Sequence, residues 1–439
     1  MSSLLHDDEE DMLSEDAFVW ALQSAKLADF CSHCLVRRTE QRKLMRCSRC
    51  KQMQYCSSEC QKKDWTLHGK ECKRLTALGA SVEDSNFPED SIRLIARLYE
   101  KAGNAEALAT TSNGRRYEDL VSHKENISKS GRFEIFLKSY EPFAGNRYDR
   151  DRLLEACSKC SVNSFGIKDD RQISIGVGLY LSLSRLDHSC QPNARLVYVG
   201  RRVKVVPSKD MVFDRPIDLT SLRHSYIDEL QSIDERRRRL QEEYFFFCEC
   251  EGCGNKKRNG EMEGLGCQQF RCPGAVDEET FTCAKCSSKL TVDEQEMGQM
   301  ATSLADSAVA ALRNRRVSHD TKLQLCQKSI KVADGVLFRA NLQRLALFNG
   351  AYEACVEMNN WNDAVKYGGE VLWIHLHYRG ELDPAVTALQ LNVGVAHMNA
   401  KQNETARALL LSVFKRLQVV YGKDSDVLRF VGDMCNMLQ

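Results

Sequence analysis

The sequence has no long apolar run and no strong excess of charge of either sign. Its first residues turn acidic at Asp7 and Asp8, before an apolar signal-peptide core could form, and no later stretch is apolar enough to span a bilayer. A formal net charge of +1 gives the molecule as a whole no polyanion-binding character. We therefore expect an intracellular protein without a membrane partner.

Cysteine, in contrast, is abundant. The 439 residues include 20 cysteines, most of them in tight clusters rather than in dispersed pairs. In a reducing compartment, clustered thiols hold metal ions rather than form disulfides. Hydrophobic residues make up 43% and charged residues 28%, which is typical of a globular chain with two or three domains. The clusters therefore predict metal centres within an ordinary globular protein.

The densest cluster lies between Cys31 and Cys72 and has the spacing C-x2-C-x12-C-x2-C-x5-C-x3-C-x7-H-x3-C. Zinc prefers four thiolate or imidazole ligands in a tetrahedron, so eight such residues make two complete sites. The spacing resembles the MYND finger, in which pairs one and three bind one zinc ion and pairs two and four bind the other. The predicted ligands are Cys31, Cys34, Cys47, Cys50, Cys56, Cys60, His68 and Cys72.

The same segment is basic, with twelve Lys or Arg against four acids between Cys31 and Arg74. One interpretation of this charge is contact with DNA phosphates. MYND fingers in general hold proline-containing peptides in a groove beside the second zinc ion, and Tyr55, Gln61 and Trp65 are the candidate contacts. Ordinary packing of a small zinc fold explains the same three side chains equally well.

Further cysteine groups follow in the middle of the chain. Cys248, Cys250 and Cys253 supply three thiolates, one short of a tetrahedron. A lone pair, Cys157 and Cys160, has no partner pair nearby, and an amphipathic helix with two half-buried thiols explains it without metal. Another group resembles the two knuckles of a zinc ribbon and consists of Cys267, Cys272, Cys283 and Cys286.

Hydrophobic patterns divide the rest of the chain. Residues 88–165 have helical spacing, whereas short β-branched runs with interspersed glycine begin at Ile173. Residues 295–439 are almost wholly helical in pattern. Within them, four positions recur 42 residues later, which fits either a tetratricopeptide-like repeat of helix pairs or a plain helical bundle. The recurring pairs are Ala364 and Ala406, Val371 and Val413, Leu372 and Phe414, and Gly380 and Gly422.

Three short polar runs and one aromatic run carry a family resemblance: Asn163–Phe165, Asp187–Cys190, Ser225–Asp228 and Tyr244–Cys253. With the finger ahead and the helical region behind, the chain from about residue 17 resembles the SMYD group of SET-domain protein-lysine methyltransferases. The resemblance implies an α+β fold: a SET-type β-fold split by the MYND finger and a helical insert, then a cysteine-rich post-SET region and an all-helical, TPR-like domain. The implied regions are a remnant N-terminal SET segment (1–30), the MYND finger (31–72), the helical insert (73–165), the C-terminal half of the SET fold (166–247), the cysteine-rich post-SET region with the ribbon-like group (248–294) and the helical domain (295–439).

The resemblance also implies roles for individual residues. Cys190 becomes the fourth ligand of a zinc ion held by Cys248, Cys250 and Cys253. In methyl transfer from S-adenosylmethionine, a neutral lysine amine attacks the methyl carbon in line, so the protein must align the two and exclude water. The implied catalytic residue is Tyr226, which also contacts the cofactor. The other implied cofactor contacts are Asn163, Asp187, His188 and Phe246, and those of the lysine channel are Phe165 and Tyr244.

The sequence departs from the family pattern in three places. Residues 1–30 contain no glycine, although SMYD proteins begin with a strand and a Gly-x-Gly turn, so we expect an incomplete N-terminal SET half. Asp187 stands where the family has Asn, and residues 216–224 replace a Gly-Glu-Glu approach to Tyr226. Two functions follow: a methyltransferase of the nucleus and cytoplasm acting on histone or other protein lysines, or an inactive zinc-binding adaptor for proline-containing peptides.

Overall fold

Residues 14–104, 109–110, 112–208, 219–314, 316–421 and 425–438 are described by the structure, a computed structural model. The β-structure contains two three-stranded antiparallel sheets, of order β1-β9-β8 and β2-β6-β5, and a parallel pair of β7 with β10. The short β3 and β4 pair within the finger. The strands are β1 Ser14–Asp16, β2 Val19–Leu22, β3 Met45–Arg46, β4 Gln54–Tyr55, β5 Ser164–Lys168, β6 Ser174–Leu179, β7 Asp187–His188, β8 Ala194–Val199, β9 Arg202–Pro207 and β10 Arg223–His224.

Strand β2 is buried along its whole length and pairs antiparallel with β6. Two glycines of β6, Gly176 and Gly178, lie opposite residues of β2. Gly176 is paired with Leu22, and a Cβ at Gly176 would overlap the carbonyl oxygen of Ala21. Only glycine allows so close an approach of the two backbones. The segment preceding the finger is thereby fixed to a strand that lies more than 150 residues later, about the length of a whole domain.

Helices cover the sheet and connect its two halves. The finger continues into α1 (Ser58–Leu78), which starts at the Ser57 cap and ends at Gly79 with φ of 65°. Four helices of the insert lie within the described residues: α2 (Asp90–Lys101), α3 (Lys124–Lys129), α4 (Arg132–Ala144) and α5 (Arg150–Asn163). The last of these runs directly into β5. After β10 come α6 (Ile233–Tyr244), α7 (Glu251–Gly254) and α8 (Lys256–Glu263).

The C-terminal helices repeat with a fixed spacing. Two successive helix pairs begin and end 42 residues apart, and Ala364, Ala406, Val371 and Val413 are all fully buried at matching positions. Helix pairs therefore explain the sequence echo, except at Gly422, which lies outside the described residues. The helices are α9 (Val292–Leu312), α10 (His319–Ala333), α11 (Leu342–Glu357), α12 (Trp361–Arg379), α13 (Pro384–Asn399), α14 (Asn403–Tyr421) and α15 (Asp426–Met437). Among the described residues, no helix has the length and apolar character needed to cross a bilayer.

This helical region returns to the front of the molecule at its end. Arg42 of the finger forms an ion pair of 2.9 Å with Asp426 of α15. Gln172, in the turn between β5 and β6, donates a hydrogen bond of 3.3 Å to the hydroxyl of Tyr421. The guanidinium of Arg171 lies 4.7 Å from the ring centre of Phe430. The finger, the sheet and the last helices therefore contact one another directly.

We predict that Gly176→Ala lowers the free energy of unfolding by about 1–3 kcal/mol, because the added methyl group forces β6 away from β2. Gly166→Ala is the matched control: it lies on β5 of the same sheet, where an added Cβ meets no atom within 4 Å. Thermal unfolding of the zinc-loaded protein measures both. Equal melting temperatures for the two variants would contradict the close packing of β2 on β6.

Candidate active site and metal centres

The finger brings its eight ligand-type residues together as two separate groups. In each group, the four ligand atoms lie within 4.8 Å of one another: Cys31, Cys34, Cys56 and Cys60 in the first, and Cys47, Cys50, His68 and Cys72 in the second. The sulfur atoms of Cys34 and Cys56 are 3.7 Å apart, and Cys50 Sγ is 3.6 Å from His68 Nε2. Tetrahedral zinc with Zn–S bonds of about 2.3 Å places its sulfur ligands about 3.8 Å apart. The donor sets therefore fit zinc in the interleaved order that the spacing implied.

In each finger group one cysteine has a lowered pKa, whereas neighbouring thiols and burial raise the pKa of Cys34, Cys56 and Cys72. A hydrogen bond from Cys34 lowers the pKa of Cys31 to about 4. The pKa of Cys47 is lowered to about 6, since hydrogen bonds from the Cys50 backbone and from His68 outweigh the effect of burial. Thiolate is the form of cysteine that binds metal. Each group thus contains sulfur prepared for coordination.

His68 is oriented by a buried carboxylate. Its Nδ1 lies 3.0 Å from Glu71 Oε2, which leaves Nε2 directed at Cys50. Contacts of this kind fix the ring orientation of a metal-binding histidine. Glu71 is fully surrounded by protein, yet its pKa is well below the usual value: the guanidinium of Arg97 and the other groups beside it outweigh the opposing effect of burial. The carboxylate therefore stays charged in the interior.

Arg97 extends this arrangement from the finger to the sheet. Its Nε donates to Glu71 at 3.1 Å, and another guanidinium nitrogen donates to the carbonyl of Trp20 at 2.9 Å. Arg93, one helical turn earlier, donates to the carbonyl of Leu22. Both arginines are on α2 and both are buried. A chain of charge-assisted hydrogen bonds thus runs from the second metal group of the finger through α2 to strand β2.

The finger surface corrects one expectation about peptide binding. Tyr55 is only 1% exposed, and its hydroxyl donates 2.8 Å to the buried Asp64. The prediction that Tyr55 contacts a peptide is therefore wrong, because its side chain belongs to the interior network. Trp65 is 46% exposed, and its indole lies over Gly69. Gln61 is partly buried beside it on the same helix.

The segment after α6 that contains Cys248, Cys250 and Cys253, called the flap, folds back onto the residues that follow β7. The Sγ of Cys190 lies 3.6 Å from that of Cys253, and its backbone N–H donates 3.2 Å to Cys250 Sγ. A Cβ on Gly252 would overlap the backbone of Cys190 and Gln191, so glycine permits the close approach. The atoms that lie mutually within 4.8 Å belong to His188, Cys190, Cys248 and Cys250.

This flap cluster also contains an imidazole that the sequence reasoning did not connect with the cysteines. His188 Nε2 lies 3.1 Å from Cys190 Sγ, while its Nδ1 accepts 3.0 Å from the backbone N–H of Tyr226. Because Nδ1 is an acceptor, the neutral ring carries its hydrogen on Nε2 and donates it to the Cys190 sulfur, which leaves the four cysteines as the donors for zinc. The centre joins Cys190, the flap and the backbone of Tyr226.

The fourth group lies on the ribbon-like segment before α9. Its sulfur atoms approach in two pairs, 3.5 Å for Cys267 and Cys286 and 3.7 Å for Cys272 and Cys283. All four lie within 4.8 Å of one another. A Cβ on Gly274 would overlap Cys283 Sγ, so this position of the knuckle requires glycine.

The pair Cys157 and Cys160 belongs to none of the four groups found among the described residues. Both thiols are buried on α5. Burial raises the pKa of Cys157 to about 12, which keeps it a neutral thiol. These two residues pack in the protein interior, as a helix without metal predicts.

Tyr226 lies at the centre of an aromatic cluster. It follows β10 by two residues, and the parallel pairing of β10 with β7 brings it next to His188. Its ring centre is 4.9 Å from those of His224 and Tyr244, 5.3 Å from His188 and 6.4 Å from Phe246. Phe165 completes the cluster at 5.4 Å from His224. Five of the seven residues implied for the cofactor and the lysine channel therefore meet at one place: Phe165, His188, Tyr226, Tyr244 and Phe246.

The hydroxyl of Tyr226 is held in one direction. It donates a hydrogen bond of 2.8 Å to the carbonyl of Leu186. Burial raises its pKa above the usual value, so the hydroxyl is protonated at neutral pH. Burial also lowers the pKa of His188 to about 4 and that of His224 to about 3, so both imidazoles are neutral there. The cluster is aromatic, uncharged and mostly closed to water.

Two predicted cofactor contacts have other roles in the structure. The amide nitrogen of Asn163 donates to the carbonyls of Val121 at 2.7 Å and Lys159 at 2.8 Å, so only its oxygen remains available to a ligand. The side chain of Asp187 is exposed and lies 3.6 Å from Arg223. His224 was not singled out from the sequence. Its place two residues before Tyr226 was the available signal in the sequence.

Ion pairs connect this site to the C-terminal helices. Glu229, three residues after Tyr226, accepts 2.6 Å from Arg195 of β8 and lies 3.2 Å from Arg379 of α12. Arg195 also lies 2.8 Å from Asp383, the cap of α13. Glu229 is buried, yet its pKa is lowered because Arg379 and Arg195 outweigh the opposing effect of burial. The segment that carries Tyr226 is therefore held by ion pairs to β8 and to helix α12.

Comparison with known proteins assigns the class. Residues 31–72 match the family model described as MYND finger. With the divided β-structure and the C-terminal helices, the finger and the flap define a protein of the SET and MYND class. This agrees with the fold predicted from the sequence.

Three relatives span nearly the whole chain. SET domain-containing protein 14 of Caenorhabditis elegans is 32% identical over 427 residues, 96% of this chain and 96% of the relative. N-lysine methyltransferase SMYD2 of Mus musculus is 25% identical over 94% of this chain and 89% of its own length. Histone-lysine N-methyltransferase SMYD3 of Homo sapiens is 25% identical over 91% and 85%. The chain belongs to the SMYD family, a family of protein-lysine methyltransferases, which confirms the resemblance.

We predict that Arg97→Ala lowers the free energy of unfolding by about 3–5 kcal/mol, because it leaves the Glu71 carboxylate buried without its main counter-ion. The control is Arg150→Ala on α5, which removes a solvent-exposed ion pair with Glu134 of α4. It lowers the free energy of unfolding by less than about 1 kcal/mol. Calorimetric unfolding of zinc-loaded protein compares them. Equal losses would show that the buried network adds no stability.

Proposed function

We propose that this protein is an S-adenosylmethionine-dependent protein-lysine N-methyltransferase. The observation that carries the proposal is the Tyr226 hydroxyl, which is held by the Leu186 carbonyl inside an uncharged aromatic cluster. The relatives named as lysine methyltransferases support the same reaction class. S-adenosylmethionine, when bound, supplies a methyl group on a sulfonium that departs as a neutral thioether.

The residues around Tyr226 suit the cofactor on chemical grounds. Because the Tyr226 hydroxyl hydrogen is committed to Leu186, its oxygen lone pairs are left to face a positively polarised methyl group. The oxygen of Asn163 is an acceptor for an ammonium group, and the ring of Phe246 is a surface for a flat base. Asp187 contributes through its backbone, since its carboxylate is exposed.

The chain's own residues also prepare the lysine. Phe165, Tyr226 and Tyr244 provide apolar ring surface around a four-carbon side chain and exclude water. Burial of an amine in such surroundings lowers its pKa and favours the neutral form that attacks carbon. The neutral imidazoles of His188 and His224 add no opposing charge in the cluster. The product amine then loses its proton to solvent.

The flap centre gives zinc a structural function in this reaction. Cys190 and the flap cysteines would hold Tyr244 and Phe246 against Tyr226, since the two aromatic residues lie four and two positions before Cys248 in the chain. Zinc bound by four protein ligands has no open position for substrate. It would therefore stabilise the channel wall rather than take part in the chemistry.

We also propose the partners. The substrates are protein lysines, histone lysines among them, in nucleus and cytoplasm; the human relative's name specifies histones. Trp65 is the exposed aromatic residue of the finger that suits a proline-containing peptide, with Gln61 beside it. We retain residues 31–72 as the finger domain and residues 295–439 as the helical domain.

We predict that Tyr226→Phe reduces methyl transfer by about a hundredfold or more, because it removes the oxygen aimed at the reacting methyl group. The rate of methyl transfer is measured with tritiated S-adenosylmethionine as the transfer of label to the proteins of a cell extract in which protein lysines are demethylated. The matched control is Tyr148→Phe, which removes a hydroxyl bonded to Glu141 at 2.6 Å, away from the site. Calorimetry that detects no binding of millimolar S-adenosylmethionine to the wild type would overturn the proposed function.

We predict four zinc ions per chain, one for each thiol-rich group. The double variant Cys267→Ser and Cys286→Ser retains three, because it removes two ligands from the ribbon group alone. Cys157→Ser with Cys160→Ser is the control and retains four. Plasma emission spectrometry of the desalted protein gives the count, and three ions in both the wild type and the ribbon variant would show that the ribbon holds no zinc.

A further inference from the structure

We infer that His224 is a specificity-determining residue of the lysine channel, whose Nε2 accepts a hydrogen bond from an N–H of the substrate amine. This contact would limit how many methyl groups the enzyme adds. The inference rests on the proposed methyltransferase function and deepens it, because it concerns which methylation states of lysine the site accepts.

The position of His224 carries the first step. It lies on β10, two residues before Tyr226, which follows the end of the strand. The two ring centres are 4.9 Å apart, and the ring of Phe165 lies 5.4 Å away on another side. His224 therefore contacts two of the three aromatic residues assigned to the lysine channel.

The second step is an unpaired nitrogen. His224 is 5% exposed, and its Nε2 is fully buried without a hydrogen-bond partner among the described residues. Burial lowers the pKa of the ring, and a hydrogen bond with the Ser225 backbone acts against this. The ring is therefore neutral, and in the tautomer that carries its hydrogen on Nδ1 the buried Nε2 is an open acceptor.

Other polar groups of the cluster are already engaged. The Tyr244 hydroxyl donates to the carbonyl of Tyr226 at 3.3 Å, and the Tyr226 hydroxyl donates to Leu186. His188 has Tyr226 N–H on one nitrogen and Cys190 Sγ on the other. An unpaired buried nitrogen destabilises a protein unless a ligand satisfies it. Within this channel, the fitting ligand is an amine with an N–H to donate.

The number of N–H groups distinguishes the possible substrates. A neutral lysine amine has two, monomethyl-lysine has one, and dimethyl-lysine has none. An acceptor at His224 therefore stabilises the first two and leaves its own nitrogen unpaired with the third. Sites built to bond a substrate N–H discriminate strongly against analogues that lack it. We expect the wild type to stop at dimethyl-lysine.

Two substitutions separate the hydrogen bond from size. His224→Leu has similar volume and no acceptor, whereas His224→Gln keeps an acceptor oxygen near the position of Nε2. Each variant is assayed on one peptide that has first been identified as a substrate of the wild type. The peptide is used in two forms, with its lysine unmodified and with its lysine dimethylated. We expect His224→Leu to lower the ratio of kcat/KM for unmodified over dimethyl peptide by about tenfold. His224→Gln should keep the ratio within about threefold of the wild type.

Thermal unfolding of the cofactor-free variants gives a readout independent of turnover. If Nε2 is unpaired, His224→Leu raises the melting temperature, because it removes an unsatisfied buried group. A lower melting temperature would reveal an internal partner and overturn the inference. Equal substrate ratios in an active wild type and His224→Leu would overturn it alone. A wild type without methyl transfer would overturn the proposed function and this inference together.

Discussion

The Glu71 carboxylate is the interaction on which the front of the molecule depends. It is buried between a histidine of the finger and two arginines of α2, and those arginines bond the carbonyls of Trp20 and Leu22. A charge so far from water persists only with partners of opposite charge. The finger is too small to bury a core of its own, so its metal groups supply cohesion while Glu71 supplies attachment. The finger is thereby fixed to the β-structure that also carries the candidate active site.

A parallel strand pair performs the corresponding function at the aromatic cluster. Because β10 lies alongside β7, residues that are 36 positions apart become neighbours, and Tyr226 reaches His188 through its backbone. The same His188 touches Cys190, one of the flap residues. Order in the flap and direction of the tyrosine hydroxyl are therefore linked by one imidazole. The short strands have little stability of their own, so the surrounding metal centre and ion pairs determine their geometry.

Local spacing predicted the metal groups of the finger, because cysteine pairs on short turns bring two ligands together wherever the chain goes. The 42-residue recurrence likewise followed from burial at matching helical positions such as Ala364 and Ala406. Tyr55 was misassigned, since nothing near it in sequence shows that Asp64 is buried beneath its hydroxyl. The contacts of His224 and His188 with Tyr226 and its aromatic neighbours depend on the pairing of β10 with β7. Such pairing leaves no signal in a short window of sequence.

The ion pairs of Glu229 have a consequence for synthesis. Its partner Arg379 lies 150 positions later in the chain, on α12. A ribosome that has completed the sheet, the finger and the flap has made Arg195 but not yet Arg379, the second cation beside Glu229. Until the helical region emerges, only one cation offsets the burial of this carboxylate. The segment after Tyr226 is consequently completed late in translation, and a chain interrupted before α12 would carry the aromatic cluster beside a carboxylate with one of its two cations.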